Sequence, residues 1–402
     1  MDFSTALPFL NQLLSKVPQV LSGTDYAKYV EYWPLFIIGF IFALFGTPIL
    51  GYIANKHDIT YKSHEKRNNR DYDNPEKAMH EGTIPGLGGI AVMLPALLGM
   101  LVFFKLDSFT IPVIIGFSVL LIGAVLDDIT NLPAKVQLGY QLLASTIIAF
   151  SIINLTDFSF LPKTIQSASW DFTLLGIQQS FSFPGDLILI LWLTLSLNAF
   201  KWIGGSPGII ESNSLVTYSL IFIIAIRYGS TFAATTSILI VGALAAFLIF
   251  AFPPPKIFSG SSGRTTYGFL VCVLALIADA KMATTIMLII LPLIDFAYVV
   301  IQRYLVHRPK NPLDILKIND TTHLHHQFLK MGYTRKQVVL IETAMTLLLS
   351  SIAVLSTGAI RFFIIILVLL AAILLVLIIN IQSQRKQKQK AEKESPESKY
   401  SY

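Results

Sequence analysis

The stretch TFAATTSILIVGALAAFLIFA, residues 231–251, runs without a single charged side chain. As a helix it is about 30 Å long, the thickness of a bilayer's hydrocarbon core. It therefore reads as a membrane span. Working outward from it, apolar runs broken by charges and Pro/Gly give about eleven spans, roughly 34–54, 86–104, 110–126, 138–155, 185–200, 212–226, 231–251, 265–279, 283–302, 337–356 and 359–381. The sequence predicts an all-α, polytopic integral membrane helix bundle.

Composition agrees. The chain of 402 residues is 54% hydrophobic and 13% charged, with a mean hydropathy of +0.65. Soluble domains carry about 25% charged residues, so a chain this apolar needs the bilayer as its main solvent. The one cysteine, Cys272, excludes a disulfide framework and a cysteine metal site, and its apolar surroundings make it a small buried side chain. The net charge of +6 is spread over many loops, which reports orientation and not nucleic-acid binding.

Eleven spans place the termini on opposite sides. With the basic tail around Arg385 in the cytosol, the loops 55–85, 127–137, 201–211, 252–264, 303–336 and that tail hold 23 of the 30 Lys and Arg residues, against 7 on the other side. Positive loops face inward, so the C-terminus is expected in the cytosol of an inner-membrane protein and the N-terminus outside. Residues 1–30 read as an amphipathic interfacial segment, 31–381 as the membrane domain, and 382–402 as a basic, disordered tail. The aromatic loop 155–185 suits a small hairpin.

The polar motifs fall on the face assigned to the cytosol. Asp127-Asp128 ends the third span, with Lys135 and Gln141 following. Adjacent carboxylates beside lipid are costly unless a cation or a basic group meets them; alone, the pair also reads as a solvated helix end. His323-Leu-His325-His326 puts three of seven histidines within four residues, a pattern suited to metal or phosphate. Lys77 and His80 precede a Gly-rich start of the second span. Asn198-Ala-Phe-Lys201 leads into a Gly-rich loop ending at Glu211, and Ser261 lies in a Ser/Gly turn beside Arg264. Together these suit a phosphorylated, water-borne substrate handled at the membrane surface.

In this order the motifs resemble the polyprenyl-phosphate N-acetylhexosamine-1-phosphate transferases. The resemblance runs from about residue 45 to 345 and rests on Pro85 to Gly89, Leu126-Asp127-Asp128 with Lys135 and Gln141, Asn198-Ala-Phe, Pro292-Leu-Ile-Asp295, and the histidine block. It implies transfer of a sugar 1-phosphate from a UDP-amino sugar to undecaprenyl phosphate with release of UMP, a Mg²⁺ cofactor, and a homodimer. By the same resemblance Asp127, Asp128, Lys135 and His323 are catalytic. Lys77, His80, Asn198, Lys201, Ser261, Arg264, His325 and His326 bind substrate.

The family pattern is broken at the residues that carry charge. In the pattern Asn-x-x-Asn-x-x-Asp-Gly-x-Asp-Gly the second Asn is Lys201, and the two Asp positions are Gly204 and Pro207; the Asp of a Gly-Asp-Ser/Thr-Gly turn is Ser261. Either Asp127 and Asp128 hold the metal with Glu211, or Lys201 takes over part of its charge. Two further readings stay open: a non-catalytic member that binds polyprenyl phosphate or scaffolds glycan assembly, and a secondary transporter built around Asp295.

Overall fold

The computed structural model describes residues 27–62, 83–151, 168–174, 176–278, 282–309, 318, 321–355 and 360–394. Each expected span coincides with helix over most of its described residues. Among the described residues, a single helical turn at Ala27–Val30 precedes the helices α1 (Trp33–Lys56), α2 (Gly88–Phe103), α3 (Thr110–Thr130), α4 (Ala134–Ala149), α5 (Gly185–Ile203), α6 (Ile209–Tyr228), α7 (Thr231–Ala251), α8 (Gly260–Ile277), α9 (Met282–Leu288), α10 (Ile290–His307), α11 (Leu324–Lys330), α12 (Arg335–Leu355) and α13 (Ile360–Glu394). Among the described residues seven helices are long and apolar enough to cross a membrane, with Gly88–Phe103 a shorter apolar one. The protein is a polytopic, all-α membrane protein.

The outer surface confirms the solvent. Ile41, Phe45, Ile49 and Tyr52 form an exposed stripe along α1, and Phe363, Leu367, Leu370 and Leu374 another along α13. Stripes of this size are unfavourable in water and at home in lipid.

Inside, small residues let helices approach. At the α1–α7 crossing a Cβ on Gly39 would lie 2.1 Å from the Leu239 carbonyl oxygen, and one on Gly242 would lie 2.0 Å from that of Phe36. Any side chain there would push the two backbones apart. Helix α8 is the hub: it packs on α2, α3, α5, α6, α7 and α9, and most of its side chains are buried.

The span expected over 283–302 is two helices, α9 and α10, broken at Ile289. Pro292 has no N–H to give the carbonyl four residues back, that of Leu288. That carbonyl is instead approached at 3.3 Å by the hydroxyls of Thr217 and Ser350, which both donate to it. Among the described residues two short strand pairs complete the fold. β1 (Thr60–Lys62) pairs with β2 (Thr83–Pro85), and β3 (Ala168–Leu174) with β4 (Ile177–Phe183), both antiparallel. The second pair is the hairpin expected in loop 155–185. The tail expected to be disordered from 382 is helical as far as Glu394, because Gln, Lys and Glu are good helix formers and Lys386 donates to the Met331 carbonyl. The rest of the tail, and most of the amphipathic N-terminal segment, lie outside the described residues.

Candidate functional site

Short connections bring five helix ends together. Helix α3 ends at Thr130 and α4 begins at Ala134; α5 ends at Ile203 and α6 begins at Ile209. The C-terminal ends of α3 and α5 therefore lie on the same side as the N-terminal ends of α4 and α6, and the start of α8 is bonded among them.

Asp128 is 1% exposed. Its carboxylate accepts from the backbone N–H groups of Ser261 (2.5 Å) and Ser262 (2.9 Å), and from the Tyr61 hydroxyl (2.9 Å). It thus caps the first turn of α8 from a different helix, satisfying donors that a helix start leaves open. Gly260 makes the approach possible. It sits at φ +67°, and a Cβ there would meet Asp128 Oδ2 at 2.5 Å and the Gly86 carbonyl at 2.1 Å.

Asp127, also buried, closes the turn after its own helix. Its Oδ1 accepts from the Leu132 N–H (2.9 Å) and from Gln137 Nε2 (2.7 Å). Its Oδ2 accepts from Ser261 Oγ (2.6 Å) and faces Lys201 Nζ at 3.6 Å. Lys201 in turn donates to Gln137 Oε1 at 2.5 Å. Arg264 completes the wall, with Nε on the Gly260 carbonyl at 3.0 Å and its guanidinium near Tyr61 and the Gly204 carbonyl. A Cβ on Gly204 would lie 2.3 Å from Arg264 Cδ, so the arginine stem fills the space that an acidic side chain at 204 would need.

A second group adjoins it through Trp202, which follows Lys201 in the last turn of α5. Asp295, fully buried, lies 2.7 Å from His323 Nδ1 and accepts from the Leu324 N–H at 2.8 Å, capping α11. A carboxylate on Nδ1 keeps the proton there and leaves Nε2 as acceptor. The ring of His323 stacks on that of His325 at 5.5 Å, and His326 lies 4.4 Å from His325. Trp202 packs edge-on against His323, and the Arg303 guanidinium sits 4.7 Å over the indole. His325 is 1% exposed and its Nδ1 has no hydrogen-bond partner among the described residues. Burial, followed by the neighbouring His326 and His323, holds its pKa well below the usual histidine value, so it is neutral near pH 7.

The expected site residues fare differently. Asp127, Asp128, Lys201, Ser261 and Arg264 come together, as do His323, His325 and His326. Lys135 does not join them: it is exposed at the start of α4, and Gln137, two positions and about 200° further round the helix, takes the inward place. Asn198 bonds Gln141 Oε1 at 2.9 Å across the α4–α5 interface and acts as a helix clamp. Glu211 is not beside the Asp pair as a metal ligand: it is bonded to the Gly208 N–H (2.9 Å) and to Ser259 Oγ (2.6 Å). This is the back-bond of a capping glutamate at the third helical position, a spacing the sequence Gly208-Ile-Ile-Glu211 already carries. Lys77 and His80 lie outside the described residues. Tyr61 and Gln137 were not anticipated; Gln137 had a signal, as a polar residue in the first turn of a helix that follows the Asp pair.

The Mg²⁺ implied by the resemblance does not fit these residues. The oxygens of both aspartates are already engaged by protein donors, Glu211 is engaged elsewhere, and among the described residues no three His, Cys, Asp or Glu side chains come together. A hard dication needs several oxygen ligands with free lone pairs, carboxylates among them.

Apolar helices in lipid, with carboxylates, cations and imidazoles gathered at one end of the bundle, define an integral membrane protein with a polar chemical site at its surface. The sequence pattern of glycosyl transferase family 4 matches residues 110–279. The chain is 24% identical over 316 residues to a probable undecaprenyl-phosphate N-acetylglucosaminyl 1-phosphate transferase of Bacillus subtilis (strain 168), covering 76% of this chain and 79% of the relative. It is 24% identical over 292 residues to the undecaprenyl-phosphate alpha-N-acetylglucosaminyl 1-phosphate transferase of Escherichia coli (strain K12), covering 69% and 74%. It is 23% identical over 323 residues to a phospho-N-acetylmuramoyl-pentapeptide-transferase of Listeria welshimeri, covering 76% and 91%.

Proposed function

We propose that this protein transfers a sugar 1-phosphate from a UDP-activated amino sugar to undecaprenyl phosphate, releasing UMP, in the synthesis of a cell-wall or surface glycan. In that reaction an oxygen of the lipid phosphate attacks the sugar-bearing phosphorus of the UDP-sugar. The new P–O–P bond joins sugar phosphate to lipid, and the bond to the UMP oxygen breaks. The names of the relatives support the substrates. The observation that carries the reading is the joining of the Asp127–Lys201–Ser261 cluster to the histidine cluster through the last turn of α5, where Lys201 faces Asp127 and Trp202 packs on His323.

Phosphoryl transfer is mainly positioning and charge neutralisation. Lys201, Arg264 and Arg303 supply fixed positive charge, and His323, oriented by Asp295, offers Nε2 to a phosphate or its proton. The bundle end carrying these groups faces the cytosol in this reading, supported by the 23-to-7 bias of basic residues, and the C-terminus lies on that side.

Purified protein with undecaprenyl phosphate and a panel of UDP-amino sugars should release UMP, and Asp128→Asn should stop it. One observation favours a second reading, in which the protein binds the lipid phosphate without turning it over: the aspartate oxygens are already bonded inside the protein. Retained lipid-phosphate binding with no UMP across the panel is the outcome that selects it.

A further inference from the structure

The Asp pair is a place where a cation belongs, and the chain already supplies one. Asp127 and Asp128 are adjacent, 6% and 1% exposed, and two buried neighbouring carboxylates need positive charge or many donors. Here Lys201 Nζ stands 3.6 Å from Asp127 Oδ2. The start of α8 meets Asp128 with two backbone N–H groups, and the Ser261 hydroxyl donates to Asp127 at 2.6 Å. The amide of Gln137 ties the arrangement together, donating to Asp127 and accepting from Lys201. Ser261 therefore bridges both aspartates, one through its side chain and the other through its backbone. Arg264 fills the room beside Gly204.

We propose that Lys201, with Ser261 and the first turn of α8, permanently replaces a divalent cation at the Asp127–Asp128 pair, so that the protein is a metal-independent member of its family. The substitutions are coupled. A carboxylate at 261 would face Asp127 where a hydroxyl now donates. An uncharged residue at 201 would leave Asp127 without its cation. Restoring Asn at 201 and Asp at 261 together removes the positive charge and provides a third carboxylate, which is the set a hard dication recruits. The role of the lysine in turnover rests on the transferase reading; its occupation of the cation's place does not.

The test reads the ion directly. Electron paramagnetic resonance of Mn²⁺ mixed with full-length protein in detergent counts bound ion without any substrate. Wild type should bind no Mn²⁺ that is sensitive to Asp127→Asn. The K201N/S261D double variant should hold one Mn²⁺ per chain, at least about tenfold more tightly than wild type, and lose it when Asp127→Asn is added. If the double variant does not fold, Lys201→Asn alone should show the gain. Stoichiometric Mn²⁺ on wild type, removed by Asp127→Asn, would overturn the proposal, and so would variants that fold but gain no ion. Failure of the transferase reading shows elsewhere, as absent UMP with the ion result unchanged.

Discussion

Lys201→Met keeps the length of the side chain and removes its charge. At 3.6 Å from Asp127, two unit charges attract by about 4.6 kcal/mol at an effective dielectric near 20. The pair is mostly buried, with side chains 14% and 5% exposed, so water screens little, yet both ions have already lost hydration that the attraction must offset. Breaking one partner of such a pair costs about 3–5 kcal/mol, because the remaining charge stays buried. Asp127 keeps the Leu132, Gln137 and Ser261 donors, which brings the expected loss to about 3 kcal/mol. A double-mutant cycle with Asp127→Asn isolates the interaction, since the asparagine variant should suffer in turn from an uncompensated lysine. The expected coupling is about 2–4 kcal/mol, with the double variant more stable than the sum of the singles implies. Unfolding in mixed micelles by sodium dodecyl sulfate, followed by tryptophan fluorescence, measures it; Trp202 lies next to the perturbed residue. A coupling below about 0.5 kcal/mol would refute the view that Lys201 neutralises the pair.

Three further outcomes follow from other contacts. His325 has its pKa lowered by burial, so the unfolded chain takes up a proton there before the folded one does; its contribution is complete above about pH 6.5 and is lost as pH falls, at up to about 1.4 kcal/mol per pH unit. Thermal midpoints between pH 7 and 5 should fall less steeply in His325→Gln. Gly260→Ala adds a left-handed strain and a Cβ against Asp128 and the Gly86 carbonyl, and should cost about 3 kcal/mol and displace Asp128 from α8, seen as a lowered midpoint and lost UMP release. Glu342 is fully buried with neither carboxylate oxygen hydrogen-bonded among the described residues; Glu342→Gln should leave stability within about 1 kcal/mol of wild type or raise it, and a loss above that would reveal a partner.

The spans were legible because charge-free runs long enough for lipid have few other readings, as 231–251 shows. The break at Ile289 was not, because it depends on hydroxyls from two other helices accepting the role of the missing Pro292 donor. Within the site, motif order placed Asp127, Asp128, Lys201, Ser261 and the histidines on one face, and the structure brings them together. Motif order could not say which of Lys135 and Gln137 turns inward, since that is fixed by where α4 begins. Nor could it separate a ligand carboxylate from a capping one: Glu211 carries the right charge, but its oxygens are held by Gly208 and Ser259. Tyr61, from a strand far back in the chain, left no mark in the sequence near the pair it touches.

The most direct test of the account is lipid-linked product formation from UDP-amino sugar and undecaprenyl phosphate in the presence of excess EDTA. The expected result is product at the same rate with and without the chelator, and its loss in Lys201→Gln. Product that appears only when Mg²⁺ is restored, or that is unaffected by Lys201→Gln, would contradict it.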